Sequence, residues 1–491
     1  MAITLKDTID SSILLRPWVR LAETPGQQLG DWLRNARVLT PFWNFTKVMG
    51  GRNPNYLRYD KAFQFTLGLG FLGLFTLLTF ASTGIIGAAT WLLLGFALLF
   101  WMTFRPNILS KLTIIDFIVA CFLGSAIIST AFSSFFHTSL IGLAKMLTFV
   151  AGYIAFRAFS EGGSKPIAMI FGFLALLGLG ESLIGFYQHI NHIQPLATWS
   201  DQSINPELQM DRIFGTLKPS NPNLLAGFLV PCLAASVGLS MLLFRKKTAL
   251  FAVGGLIMAV LILVAIVFTG SRGGFLSISS MMVCVFAYLG HLIWRDQDLQ
   301  QFKWMKPAWL IILLVSLLAI TGGVLSSEKI RTRVASIFAM REDSSISYRF
   351  NVYNSAMRIV KDNPIVGIGP GNSTFKLVYG LYMVPGYNAL GSYSVPLEIT
   401  VEQGFVGLTI FLSLLLVLIL RTGLALEGKY LTLQEKLLAG ALLTGIVGSF
   451  MYGIFDTIWY RPAVNLPFWF MVASLARLTE PKNTNIFKGI L

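Results

Sequence analysis

The chain has 491 residues, of which 55% are hydrophobic and only 12% are charged, and its mean hydropathy is +0.68. Soluble domains contain about 25% charged residues, so this composition excludes an ordinary soluble fold and places most of the chain in lipid. The formal net charge of +15 is typical of a bacterial inner-membrane protein with basic cytoplasmic loops. We therefore predict an all-α polytopic protein of the inner membrane, with the lipid bilayer as a partner and no nucleic acid.

The first 61 residues are polar and mixed in charge, and they lack the early apolar run of a cleavable signal peptide. From residue 62 onward, apolar segments long enough to cross a bilayer recur along the chain. Twelve spans are predicted, near residues 62–80, 85–104, 114–132, 140–159, 167–189, 222–244, 248–269, 275–294, 307–325, 397–420, 437–458 and 463–478. The domains are then an N-terminal tail (1–61), nine spans (62–325), a basic loop (326–396), three spans (397–478) and a C-terminal tail (479–491).

Basic residues predict how these spans are oriented. They occupy alternate connections, at Arg105 and Lys111, Arg157 and Lys165, Arg245 to Lys247, Arg295 to Lys306, and Arg421 to Lys436. Short loops rich in Lys and Arg stay in the cytoplasm, so both tails are predicted to be cytoplasmic. The 326–396 loop is then periplasmic, and its length exempts it from the charge rule.

The three cysteines, Cys121, Cys232 and Cys284, lie in apolar runs and show no metal-ligand spacing. They are interpreted as small core residues, without a disulfide framework. We expect no bound metal and no cofactor.

The basic loop carries eight Lys and Arg residues against four acidic residues, which predicts an anionic partner. Within it, residues 344–361 have apolar side chains at helical spacing and are predicted to form an amphipathic helix. Arg349 lies about 60° from the centre of the apolar stripe and is predicted to face the membrane domain as an anion-binding residue. Arg358 lies farther round and is predicted to be solvated.

Glycine-rich turns supply further candidate anion sites. Arg272 lies in the turn Thr269 to Gly274, where flanking glycines can present a guanidinium to a phosphate or carboxylate. The alternative is an interface anchor that reaches for water. Gly369 and Gly371 could form a backbone nest for an anion, or simply an irregular turn.

Ionisable residues within the spans are costly in lipid and usually pair or serve function. Lys145 and Glu181 lie in the outer halves of adjacent predicted spans, and an ion pair between them is the default interpretation, with a cavity site as the alternative. Glu398 and Glu402 are four residues apart and share a helix face. Glu398 suits a helix N-terminus, whereas Glu402 is deeper and is the stronger catalytic candidate.

The outer end of the eleventh span is also polar. Asp456, Tyr460 and Arg461 lie there, and Arg461 is a candidate anion-binding residue. The alternative is a purely structural pair between Asp456 and Arg461.

Several strings between residues 197 and 462 occur in the order of a known family. They are Ala335 to Phe338 with Arg341 to Ser345, Gly367 to Asn372 with Leu377 to Tyr379, Ser392 to Glu398, Asn221 to Ala226, Ser271 to Gly274, and Phe455 to Thr457 with Tyr460 to Pro462. In these strings the chain resembles the IctB family of cyanobacteria. That family is described as inorganic-carbon accumulation proteins and candidate bicarbonate transporters.

The IctB family is in turn similar to the wider family of O-antigen ligases and polymerases (Wzy-type proteins). This resemblance implies about twelve spans, a large periplasmic loop, and arginines that hold a lipid-linked diphosphate sugar. Arg272 and Arg349 match those arginine positions. The ligases carry an essential His-Asn pair just before the span that follows the loop, where this chain has Tyr393 and Ser394.

The missing histidine affects the expected chemistry. A tyrosine with an ordinary pKa near 10 is a poor general base at neutral pH, unlike a histidine near 6.5. Ligase chemistry would need a substitute from Glu398, Glu402 or Asp456, or a strongly perturbed Tyr393. We therefore retain Tyr393, Glu398 and Glu402 as the candidate catalytic residues.

Two functions follow from the resemblance. The first is transport or accumulation of bicarbonate, favoured by the IctB similarity, the missing histidine and the basic outer surface. The alternative is an enzyme that transfers or polymerises glycans carried on a lipid diphosphate at the outer face of the bilayer. The partner is accordingly either a small anion, bicarbonate, or a lipid-linked glycan diphosphate.

Overall fold

The computed structural model describes residues 15–24, 112–160, 164–194, 210–244, 248–336, 344–427, 431–456 and 460–480, together with a few single positions between 12 and 44. Within these ranges the secondary structure is helical and contains no strand. The helices are α1 (Arg16–Glu23), α2 (Ile114–Ala131), α3 (Phe136–Ser160), α4 (Ser164–Ile190), α5 (Pro222–Leu243), α6 (Ala249–Phe268), α7 (Arg272–Arg295), α8 (Gln297–Gln300), α9 (Met305–Ser326), α10 (Glu328–Ala335), α11 (Ser344–Asp362), α12 (Asn372–Tyr379), α13 (Val395–Glu427), α14 (Leu433–Ile454) and α15 (Pro462–Leu478).

Eight helices in the described part of the chain are long and apolar enough to cross a membrane, namely α2, α4, α5, α6, α7, α9, α13 and α14. Each matches a predicted span. The predicted spans at 140–159 and 463–478 are helical as α3 and α15, but these helices are not among the eight. The predicted spans at 62–80 and 85–104 lie outside the described residues. The structure therefore supports a multi-pass helical membrane protein without fixing the number at twelve.

The core lies between α5 and α14, most of whose residues are buried. Helix α5 packs against α4, α6 and α14, while α3 packs against α15 and α2 against α13. Helix α9 has no buried residue and exposes Ile311, Leu314 and Leu318. Such an apolar, exposed surface is what lipid contact requires.

Local sequence determines where the helices begin. Asn221 and Ser271 have extended backbones, and their side chains accept hydrogen bonds from Asn223 N and Gly274 N. These N-caps satisfy amide groups that the first helical turn leaves unpaired. Because α6 ends at Phe268 and α7 starts at Arg272, the turn between them brings Ser271 and the start of α5 to the same end of the bundle.

Helix α13 is broken at Gly404, which has φ 66° and ψ −170°. The segment 364–371 inserts at the break, with hydrogen bonds from Ile368 N to Val401 O (2.9 Å) and from Phe405 N to Pro364 O (2.8 Å). A Cβ on Gly404 would lie 2.0 Å from Ile365 O, so glycine is required here. The described residues of the predicted 326–396 loop thus contain three helices, α10 to α12, rather than one, and part of the loop packs into the membrane domain.

A group of charged residues joins α2, α3 and the end of α15 at the opposite end of the bundle. Arg157 on α3 lies 3.4 Å from Asp116 Oδ1 on α2 and 3.6 Å from Glu480 Oε2, just after α15. The hydroxyl of Tyr153 donates to Asp116 at 2.6 Å. These contacts give buried charges the partners that a lipid-embedded fold requires.

Candidate functional site

Three arginines from separate parts of the chain meet at the end of the bundle where α5 and α7 begin. Arg212 precedes α5, Arg272 is the first residue of α7, and Arg333 lies on α10. We call these three residues the arginine cluster. Sequence analysis predicted Arg272 but missed the other two.

Arg212 is half-buried, and neighbouring polar groups hold its guanidinium. Its Nε donates to Thr269 O at 2.7 Å and its Nη2 donates to Asn223 Oδ1 at 2.7 Å. Both acceptors are neutral, and no carboxylate lies within ion-pair distance of Arg212 among the described residues. Burial lowers the pKa of Arg212 to about 9, and the nearby charges of Arg333 and Arg272 contribute to this lowering. Because like charges at close range repel, an anion bound here would relieve that repulsion.

The turn before α7 holds the cluster together. Arg333 Nε donates to Gly270 O at 2.8 Å, and Arg272 Nη1 lies 3.4 Å from Ser336 O. Gly270 has a φ of 58°, and a Cβ there would lie 3.3 Å from Arg212 Cγ. The glycine therefore gives the turn its left-handed conformation and leaves space for the Arg212 side chain.

Glu181 and Gln188 on α4 fix the segment that carries Arg212. The Glu181 carboxylate accepts from Thr216 N at 2.8 Å and from the Thr216 hydroxyl. Gln188 Oε1 accepts from Gly215 N at 2.9 Å. The predicted ion pair between Lys145 and Glu181 is wrong, because this loop occupies the carboxylate.

Arg349 faces the membrane domain, as its helical position predicted, but it contacts protein groups. Its Nη1 donates to Phe455 O at 2.6 Å, and its Nη2 lies 3.5 Å from Asp456 Oδ2. Its guanidinium carbon also lies 5.7 Å from the ring centroid of Tyr393. Arg349 therefore joins α11 to the end of α14.

Asp456 contacts Arg349 and lies within electrostatic range of Arg212 in the arginine cluster. Its charge acts on Arg212 and on Tyr393. Tyr452, one turn earlier in the chain, donates to Asn223 O at 2.5 Å and lies 3.0 Å from Ser271 Oγ. Tyr452 therefore joins the end of α14 to the starts of α5 and α7, beside the arginine cluster.

Tyr393 has a φ of 53°, a conformation that bulky residues rarely adopt. The Tyr353 hydroxyl donates to its carbonyl oxygen at 3.1 Å, and its ring packs edge-on against Tyr348 at 5.9 Å. Burial raises the pKa of Tyr393, and Tyr348 raises it further. The phenol therefore remains protonated at neutral pH and is a poor proton acceptor.

Glu398 and Glu402 line a pocket between α2, α3, α13 and α15. Glu402 Oε1 accepts from Tyr460 at 2.6 Å and from Gly371 N at 2.8 Å, and Tyr460 also hydrogen bonds to Glu398. Lys145 is the only cation among the described residues that line it, and its Nζ lies 3.5 Å from Asn372 Oδ1. The two carboxylates are thus together, as their spacing predicted, but away from the arginine cluster.

The predicted glycine nest is occupied by this same glutamate. Gly369 N donates to Glu402 O at 3.0 Å, and Gly371 N donates to its carboxylate. Both glycines have positive φ, 104° and 106°. Their amides bind Glu402 and are not presented to an external anion.

Among the arginines predicted to bind an anion, Arg461 is the one whose side chain does not join a group of polar residues in the described structure. It precedes α15, its side chain is exposed, and its backbone carbonyl accepts from Asn465 N at 3.0 Å. Its side chain has no hydrogen bond or ion pair with any other described residue. Arg212, in contrast, gave no sequence signal, because a half-buried arginine in a short polar segment looks the same as a solvated one.

Comparison with known proteins identifies part of this region. The O-antigen ligase family model matches residues 257–412. The match includes Arg272, Arg333 and Arg349, and it leaves out Arg212 and Asp456. A search of curated proteins finds no match. Residues 257–412 are thus similar to the O-antigen ligase family, and the apolar helices of the described residues indicate a multi-pass membrane protein.

Proposed function

We propose that this protein transfers glycans from a lipid-linked diphosphate donor to an acceptor hydroxyl at the membrane surface. The observation that carries the proposal is the arginine cluster, in which three guanidiniums lie close enough to repel one another. Two of its three members, Arg272 and Arg333, lie within the region similar to O-antigen ligases. These proteins act on lipid-linked glycans, which supports the alternative function that we drew from the sequence.

The cluster suits a diphosphate for a geometric reason. A guanidinium presents donors in a planar fork that fits phosphate oxygens in pairs, and a diphosphate offers oxygens on two phosphorus atoms. The three arginines are attached to different elements, so they can surround such a group from several directions.

The same cluster supplies the catalysis that glycan transfer needs. When the bond between the sugar and the diphosphate breaks, negative charge builds up on the leaving oxygen. Donors placed in advance where charge develops lower the barrier. Arg212 is well suited to this role, because its two hydrogen bonds to neutral oxygens hold it in place and no carboxylate lies within ion-pair distance of it among the described residues.

Bicarbonate transport, implied by the IctB resemblance, is supported by neither the family match nor the site. Bicarbonate is satisfied by one or two donors, whereas three clustered arginines match a larger anion. The broken helix α13 could have formed an ion site, as broken helices do in transporters. Its free backbone groups are instead occupied by the segment 364–371.

A complementation experiment tests the proposal. A deletion strain receives the wild-type gene or the Arg212→Gln, Arg333→Gln or Arg358→Gln variant, and its surface polysaccharide and bicarbonate uptake are measured in parallel. We expect wild type and the Arg358 control, an exposed residue on α11, to restore the polysaccharide, and the two cluster variants to fail. Restoration of bicarbonate uptake alone would contradict the proposal.

A further inference from the structure

Glycan transfer requires a group that takes the proton of the acceptor hydroxyl. The resemblance to O-antigen ligases places a histidine where this chain has Tyr393. That tyrosine is a poor substitute, because burial and Tyr348 raise its pKa. Its ring also packs beneath Arg349 and against Tyr348. The proton acceptor must therefore come from another part of the fold.

We propose that Asp456 is the general base and that Arg349 is its positioning residue. Asp456 lies two residues beyond α14, and Arg349 holds it in two ways, through the 3.5 Å contact with Oδ2 and through the hydrogen bond to Phe455 O. The aspartate side chain is 14% exposed and the arginine side chain 22%. The carboxylate is thus fixed in orientation but still accessible. This inference rests on the proposed function.

Groups from several elements lie within electrostatic range of Asp456. Arg212 of the cluster faces it from the segment before α5, and Arg349 and Tyr353 face it from α11. Tyr393 and Tyr452 approach it from the segment before α13 and from α14. Arg349, which contacts Asp456, also lies 5.7 Å from the ring centroid of Tyr393, so the carboxylate lies near the position of the family's histidine. The charge of Asp456 also acts on Arg212 of the proposed diphosphate site.

The two other candidate carboxylates are less suitable. Glu402 already accepts from Tyr460 and Gly371, and Glu398 shares the same tyrosine. Both lie in a pocket whose described lining contains Lys145 but no arginine. A base located there would be separated from the bond that breaks.

The step balances without any further reactant. A carboxylate oxygen of Asp456 takes the proton of the acceptor hydroxyl as the hydroxyl oxygen attacks the anomeric carbon of the donor sugar. The bond from that carbon to the diphosphate oxygen breaks, and the electron pair leaves with the lipid diphosphate, held by the arginine cluster. Asp456 then releases its proton to water.

The test measures glycan transfer by purified protein in liposomes that contain a synthetic polyprenyl-diphosphate oligosaccharide and an acceptor glycolipid. The variants are Asp456→Asn, Asp456→Glu and Asp456→His, with Asp362→Asn as the matched control. Asp362 ends α11 and accepts from Tyr382 at 2.6 Å, outside the site. Binding of inorganic diphosphate is measured on every variant.

A general base typically accelerates a reaction by about 100- to 10,000-fold. We therefore expect the kcat of Asp456→Asn to be at least about 100-fold lower than that of wild type, while the variant protein still binds diphosphate. Asp456→His should recover part of the rate, with a pH profile that rises near the histidine pKa of about 6.5. A merely structural role would not move that profile. Arg349→Lys should retain more kcat than Arg349→Gln, without a matching change in donor KM.

Two results would overturn the inference. One is transfer by Asp456→Asn above about a tenth of the wild-type rate. The other is a pH profile of Asp456→His that equals the wild-type profile, which also decides the question should the asparagine variant not fold. Failure of the wild-type protein to transfer glycan at all would instead remove the proposed function, and the inference with it.

Discussion

Gly404 is the residue whose replacement tests the broken helix most directly. Its φ of 66° and ψ of −170° lie in a region that is essentially restricted to glycine, at a cost of about 1–3 kcal/mol for other residues. In Gly404→Ala, the new methyl group would also lie 2.0 Å from Ile365 O and 2.7 Å from Val366 N. Both neighbours are backbone atoms, so the segment 364–371 must move away from α13.

That movement has a predictable magnitude. It breaks the hydrogen bond from Phe405 N to Pro364 O (2.8 Å), at a cost of about 1 kcal/mol. Added to the backbone strain, the expected loss in the free energy of unfolding is about 2–4 kcal/mol. Glycan transfer should fall as well, because the same segment leads into α12 and the Glu402 contacts.

The assay is thermal unfolding of the purified protein in detergent, compared with Gly322→Ala. Gly322 lies within α9, and no neighbouring atom lies within 4 Å of the position that its Cβ would take, so its replacement should stabilise the helix by about 0.5–1 kcal/mol. We expect Gly404→Ala to unfold several degrees lower than wild type and the control to unfold no lower. Equal melting temperatures for wild type and Gly404→Ala would refute the reasoning about the break.

Four further predictions concern the site and the topology. Tyr393→His should not raise glycan transfer, because the imidazole would lie beneath Arg349 rather than in the position of the base; a clear rise in a transfer assay would restore this position as the base. Tyr393→Phe should lose activity only in part. Burial and two neighbouring arginines lower the pKa of Arg212 to about 9, so the guanidinium loses its charge as pH rises through that value. The affinity for inorganic diphosphate, measured by calorimetry, should therefore fall over the same pH range. A constant affinity from pH 7 to 10 would contradict the role of Arg212. Single cysteines at Ser344 and Gln434 should react with impermeant reagents from the outside and the inside of the membrane, respectively, and labelling of both from one side would refute the predicted orientation.

Hydropathy was sufficient to predict the helices that surround the site. Each of the eight apolar helices corresponds to a predicted span, because twenty or so consecutive apolar residues are a local property of the sequence. The amphipathic helix α11 was likewise predicted from its periodicity. The prediction for 344–361 differs from the observed Ser344–Asp362 by one residue.

The contacts that form the site were not predictable in the same way. Arg212 and Thr269 are 57 residues apart, and Arg349 and Phe455 are 106 residues apart. Such pairs depend on how helices pack, which composition and periodicity do not specify. The Lys145–Glu181 pair failed for this reason, since the loop partner of Glu181 is an ordinary threonine. The break at Gly404 was also missed, because glycine is common in membrane helices.

The central claim is that the arginine cluster binds a lipid diphosphate for glycan transfer. The most direct measurement is transfer of a labelled oligosaccharide from a polyprenyl-diphosphate donor to an acceptor glycolipid by the purified wild-type and Arg212→Gln proteins in liposomes. We predict transfer by the wild-type protein and a loss of about 100-fold or more in the variant, as expected for removal of one preorganised donor. Absence of transfer by the folded wild-type protein, or equal transfer by both proteins, would contradict this claim.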